Sequence, residues 1–186
     1  SRPFFCFVSA SEPHDPYIPP RKFFDMYDLD KVQLSPTLRD ESDGKPDIVK
    51  RMRSVWNDVT DDDWRRVTAS YWAVLSYIDS EVGRIIDVLK ETGQYDNTII
   101  VFTSDHGDMM GDHHHWRKTY AYEGSARIPL LLSCPRDWGL GEAQVQEAPV
   151  DLRDIDAVQA MIATVDQQLG GIDILINNPA NDDRHG

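Results

Sequence analysis

One amphipathic stretch constrains the fold more than any other part of the chain. Val67, Tyr71, Val74, Leu75, Ile78, Val82, Ile85, Ile86 and Leu89 recur at spacings of three and four, the period of a single apolar helix face. Thr60 suits the N-cap, and Asp61, Asp62 and Asp63 fill a first turn where the helix dipole favours negative charge. Gly93 supplies the stop. The helix so defined runs for about 30 residues, long enough to cross a whole α/β domain. Thr98-Ile99-Ile100-Val101-Phe102-Thr103 follows, β-branched and apolar, the pattern of a strand buried on both faces. A helix feeding a buried strand is half of a βαβ unit, so the chain reads as α/β with a largely parallel sheet.

Other segments fit around this pair. Phe4-Phe5-Cys6-Phe7-Val8 has the texture of a short buried strand, and it runs into a loop stiffened by Pro13, Pro16, Pro19 and Pro20. Residues 21 to 59 lack a clean period and read as an irregular surface excursion with one or two short helices. Ile128-Pro129-Leu130-Leu131-Leu132 is a further strand, with its proline near the beginning as the missing N–H requires. Beyond Gly139-Leu140-Gly141 the texture changes: Ile155 to Leu169 is a second amphipathic helix and Ile172 to Ile176 another strand.

Composition narrows the function classes. No apolar run of about eighteen residues occurs, which excludes a transmembrane helix. Lys and Arg total 19 against 32 Asp and Glu, a formal net charge of -13. That sign argues against nucleic acid and anionic membranes as partners, but leaves room for a small anionic substrate where cations gather locally. Cys6 and Cys134 allow one bridge at most and build no disulfide framework. The 186 residues open at Ser1 and enter an apolar segment almost at once, so the chain reads as a fragment of something larger.

The chemistry concentrates after the strand at 98–103. Ser104-Asp105-His106-Gly107-Asp108 lies where ligands bind in open α/β sheets, outside the carboxyl end of a strand. Asp105 and His106 set a hard oxygen and an imidazole side by side, both good donors to a divalent cation, although a polar loop capping the next element uses the same residues. Gly111-Asp112-His113-His114-His115-Trp116-Arg117-Lys118 adds three imidazoles and two cations, a combination suited to a tetrahedral anion. Structural zinc competes for such a run, but three consecutive His cannot all face one ion without distortion and no cysteine stands near.

These stretches together, with Tyr122-Glu123-Gly124-Ser125-Ala126-Arg127-Ile128-Pro129-Leu130 and the early Glu12-Pro13-His14-Asp15-Pro16-Tyr17, closely resemble the sulfatase family of the alkaline-phosphatase-like superfamily over residues 3 to 150. The resemblance implies a partial alkaline-phosphatase-like sandwich and metal-dependent hydrolysis of a small anionic sulfate ester. Phosphonate or phosphate monoester hydrolysis and a non-catalytic remnant are the alternatives. By position, Asp105 and His106 would be ligands of the divalent metal, Ca2+ first and Mn2+ second. Lys118 would bind the sulfate oxygens and His14 the sulfuryl group or leaving oxygen. A metal, an ammonium and an imidazole around one centre stabilise charge growing on its oxygens.

The family also converts a cysteine or serine in Cys-x-Pro-x-Arg to formylglycine, the nucleophile. Neither Cys6-Phe7-Val8-Ser9 nor Cys134-Pro135-Arg136 matches, and the family's N-terminal Asp pair is not found, so the fragment is expected to be inactive. From about residue 151 to 186 the chain instead resembles the helix and Asn-Asn strand of a short-chain dehydrogenase/reductase. That tail lacks the glycine-rich phosphate loop and the Tyr-x-x-x-Lys pair, so no nicotinamide site is expected. Two domains follow from this reading, 1–150 and 151–186, joined near Asp151–Asp156.

Overall fold

The computed structural model describes residues 3–118, 120, 122–135 and positions 156, 159, 160 and 163. Among the described residues the elements are helices α1 (Arg21–Phe24), α2 (Asp47–Ser54), α3 (Asp61–Glu91) and α4 (Glu123–Ala126), and strands β1 (Ile100–Thr103) and β2 (Leu130–Ser133). Short 3-10 turns stand at Leu29–Lys31, Tyr95–Asn97 and Asp112–His114.

The ends of α3 follow from local chemistry. Thr60 Oγ1 accepts from the Asp63 N–H at 3.2 Å, while the Asp63 carboxylate accepts from the Thr60 N–H at 3.0 Å, a reciprocal capping box. At the other end Gly93 takes φ +66°, its N–H reaches Lys90 O, and the Gln94 N–H reaches Leu89 O. These are the paired bonds of a Schellman stop, for which a residue free to enter the left-handed region is needed. Both termini were expected from the sequence, and both are formed.

The buried face differs from the one the periodicity marks. Trp64, Thr68, Ala69, Ala73 and Val74 are the buried residues of α3, all in its first half, whereas Leu75 and Ile85 are exposed and Val88 is 57% exposed. Small side chains at Ala69 and Ala73 let neighbouring chain approach closely, while the apolar stripe beyond residue 75 has little packed on it. From α1, Phe23 meets Tyr77 with ring centroids 5.5 Å apart. Tyr27 meets Trp72 and donates to Trp72 O or pairs with Ser76 Oγ. Residues 21–59 hold two short α-helices as expected, yet they are more than a surface excursion: Phe23, Val32 and Leu38 enter the core.

The chain forms two compact units, residues 1–95 with 102–130 and residues 96–101 with 131–186. β1 and β2 pair as a two-stranded sheet. The burial expected of the first strand is not found: all of β1 but Ile100 is exposed, and so is every residue of β2. Residues 4–8 are likewise exposed and form no strand. Burial on both faces needs further strands at the edges and helices over the faces, and β1 has only β2 as a partner among the described residues. Positions 156, 159, 160 and 163 are helical, within the helix expected at 155–169; the rest of that helix, the strand at 172–176 and the join near 151–155 lie outside the described residues. No helix among the described residues is long and apolar enough to cross a membrane.

Candidate functional site

The strand-end loop begins at Ser104, whose hydroxyl donates to His106 O at 2.8 Å and so curls the chain back on itself. Asp105 Oδ1 accepts from the His106 N–H at 2.9 Å, while its side chain stays 74% exposed. Gly107 then passes hard against α4: its N–H bonds Ser125 O at 2.7 Å, and a Cβ built there would lie 2.2 Å from Gly124 O. Glycine is required at this position by sheer proximity of two backbones.

The residues that follow turn sharply. Met110, His113, His114 and Arg117 all have positive φ, a region that side chains with a Cβ visit at a cost of roughly 1 kcal/mol or more each. Ties from elsewhere hold them there. Asp112 Oδ1 accepts from Ser35 Oγ, and the His113 N–H donates to Thr37 Oγ1 at 3.1 Å. His113 Nδ1 lies 2.9 Å from the Asp40 carboxylate, His114 Nε2 donates to Trp56 O, and His115 is 2% exposed against the rings of Tyr120 and Tyr122. Burial, followed by the charge of Arg53, pushes the His115 imidazole below its ordinary value and keeps it neutral. The histidines thus bond and pack within the chain, with His113 and His115 both set against the Tyr122 ring.

Lys118 stands at the end of the run. Its Nζ meets His14 Nε2 at 2.5 Å, a contact across 104 residues of sequence. His14 Nδ1 lies 2.8 Å from Asp15 O. A carbonyl only accepts, so Nδ1 carries the ring proton and Nε2 offers its lone pair to the ammonium. The rings of His14 and His106 stand edge to face, 6.4 Å between centroids. His106 Nδ1 in turn lies 2.7 Å from Gly107 O and so carries a proton, which in the neutral ring makes Nε2 the lone-pair nitrogen. That nitrogen sits 3.6 Å from Asp105 Oδ2, too far for a hydrogen bond, so two lone-pair donors face one gap. His14, Asp105, His106 and Lys118 are thus brought together within the first unit.

Around these four, Tyr71 of the long helix and five residues of the quoted motifs also shape this place. Asp15, 13% exposed, accepts from Arg117 Nη2 at 2.7 Å. Tyr17 donates its hydroxyl proton to Asp108 Oδ2 and accepts from Trp116 Nε1 at 2.9 Å. Burial and then the Asp108 bond push the Tyr17 phenol well above its ordinary value. Tyr71 of α3 meets the Tyr17 ring edge to face at 5.3 Å, which ties the proline loop to the long helix. All five lie inside or beside the motifs already quoted; residue type alone does not distinguish a loop aspartate from one that gathers three donors.

The chain matches the Sulfatase family model over residues 1–166. It is 42% identical over 139 residues to the choline-sulfatase of Rhizobium meliloti (strain 1021), an alignment covering 72% of this chain and 27% of that protein. To the arylsulfatase of Clostridium perfringens (strain 13 / Type A) it is 37% identical over 158 residues, 83% of this chain and 33% of that one. Among solved structures, the phosphonate monoester hydrolase of Agrobacterium radiobacter is similar with a TM-score of 0.71 at 26% identity, covering 92% of this chain and 36% of the other. The phosphonate monoester hydrolase SpPMH from Silicibacter pomeroyi gives 0.64 at 31% identity, over 85% and 32%. The chain spans about a third of these relatives or less.

Proposed function

Because this chain belongs to the sulfatase family and shares the alkaline-phosphatase-like α/β fold, we propose that its first unit is the anion-binding part of a sulfuric ester hydrolase of arylsulfatase type. The observation that carries this reading is the meeting of Lys118 Nζ with His14 Nε2 beside the His106 ring. An ammonium and an imidazole at hydrogen-bond distance suit neighbouring oxygens of one tetrahedral group. Lys118 holds a non-bridging oxygen and opposes the charge that develops on it. His14 contacts the sulfuryl group or the departing oxygen, with Nδ1 anchored on the Asp15 carbonyl so that the ring stays oriented.

Asp105 and His106 suit two positions of a divalent cation's shell, since their Oδ2 and Nε2 lone pairs share one gap. Calcium is the first choice and manganese the second, for an oxygen-bearing site that includes one imidazole. Such a cation supplies Lewis-acid stabilisation of charge on the ester oxygens. Among the described residues no three or more His, Cys, Asp or Glu are placed to hold a metal ion, so this pair would be a partial shell. The nucleophile of the family mechanism has no counterpart in Cys6 or Cys134, and turnover by this chain alone is not expected.

Titration calorimetry with inorganic sulfate and with calcium tests the assignment. Sulfate binding that is lost in Lys118→Met and weakened in His14→Asn, with calcium uptake lost in Asp105→Asn, is the expected result. A Lys118→Met chain that binds sulfate as the wild type does overturns it. The likeness to two phosphonate monoester hydrolases favours a second reading on the same residues, phosphonate or phosphate ester hydrolysis; methylphosphonate outcompeting sulfate would favour it. A chain that takes up neither anion is the non-catalytic remnant. We retain the division at about 151, with the tail as a short-chain-dehydrogenase-like helix and strand, as a proposal. The family match itself continues to residue 166.

A further inference from the structure

Asp108 holds both loops that meet at the candidate site. Its Oδ2 accepts from Tyr17 OH at 2.5 Å, across 91 residues of sequence. Its Oδ1 accepts from the backbone N–H of Arg117 at 3.0 Å and of Met110 at 3.2 Å. Tyr17 follows His14 by three residues and Arg117 immediately precedes Lys118, so one carboxylate bonds to the chain on both sides of the Lys118–His14 contact. The tyrosine has no freedom to turn away: Trp116 Nε1 donates to its oxygen, which leaves the hydroxyl proton to Asp108. A second tie, Arg117 Nη2 to Asp15, runs parallel to the first. The 110–117 turn, left-handed at four side-chain-bearing residues, does not hold this shape by backbone preference alone.

We propose that Asp108, acting through Tyr17 and the Arg117 N–H, is a positioning residue that sets Lys118 Nζ against His14 Nε2. Its importance for anion capture rests on the assignment of Lys118 and His14 to the sulfate. Asp108 bonds to neither side chain; it ties the Tyr17 hydroxyl, three residues after His14, to the Arg117 backbone beside Lys118.

The test is made on the whole chain by long-range proton–nitrogen correlation spectra of the histidine rings, without metal. Lys118→Met defines the His14 Nε2 signal when the ammonium is gone. Tyr17→Phe and Asp108→Asn are each expected to move that signal towards the Lys118→Met position, while the His113 signals and the helical circular dichroism stay as in the wild type. Affinity for inorganic sulfate should fall about tenfold in each, the scale of one hydrogen bond to a charged group. A merely structural role would lower the melting temperature and leave the His14 signal in place. Tyr17→Phe removes one hydroxyl and keeps both backbone bonds of Asp108, so it carries the test should Asp108→Asn unfold. An unmoved His14 signal in folded Tyr17→Phe overturns the proposal. Lack of sulfate uptake by the wild type sinks the assignment of the anion alone, because the His14 signal still decides the positioning.

Discussion

At the scale of single residues, close approach and burial decide more than residue type. Gly107 lies against the Gly124 backbone, and Gly107→Ala would drive a methyl group into a carbonyl oxygen with no flexible atom to yield. We expect it to destabilise the first unit by about 1–3 kcal/mol, the range for overpacking, read from the urea midpoint. His115 gives a pH signature. Its folded value lies below the ordinary 6.5, so the unfolded chain binds the proton first and stability falls as pH drops below that value. Above it the contribution is fully present. His115→Phe keeps a ring between Tyr120 and Tyr122 and should flatten the part of the stability profile below about pH 6.5 that His115 causes. The Asp105-His106 pair and Lys118 were legible as chemistry from their motifs. That His113 and His114 are tied to distant parts of the chain was not, because positive φ at both is held by contacts with Asp40, Trp56 and the 35–37 turn.

At the scale of elements, α3 was legible at both ends and misread along its face. The capping box is a local event: Thr60 and Asp63 need only each other. Thr60→Ala should cost about 1 kcal/mol, measured as a lower melting temperature with little change in the folded spectrum. The face is a tertiary event, since periodicity marks which residues are able to be buried and the neighbours decide which are. Trp64→Ala is expected to cost about 3–5 kcal/mol or to prevent folding, whereas Val88→Ala should stay within about 0.5 kcal/mol. Equal effects at the two positions would show that α3 is buried along its length. β1 follows the same logic in reverse, for its sequence promises burial that a two-stranded sheet does not deliver.

At the scale of the whole molecule, the consequence is exposed apolar surface. Phe4, Phe5, Phe7 and Val8 are more than half exposed, and so are Leu130, Leu131 and Leu132. Exposed strands of this composition invite association. The chain should therefore bind a hydrophobic dye and self-associate at rising concentration, and Leu131→Lys should reduce both without altering the helical signal. An unchanged dye response would mean that β2 is not the sticky surface. The sequence by itself determined what local forces fix: the limits of α3, the proline loop that carries His14, and the family to which the motifs belong. Tertiary structure alone decided what lies between residues far apart in the chain. It joined Lys118 to His14, gave Asp108 its three donors, and turned the histidine run inward. These contacts depend on backbone turns that packing imposes, and on which apolar faces find a partner, and neither is written in the order of residues along one segment.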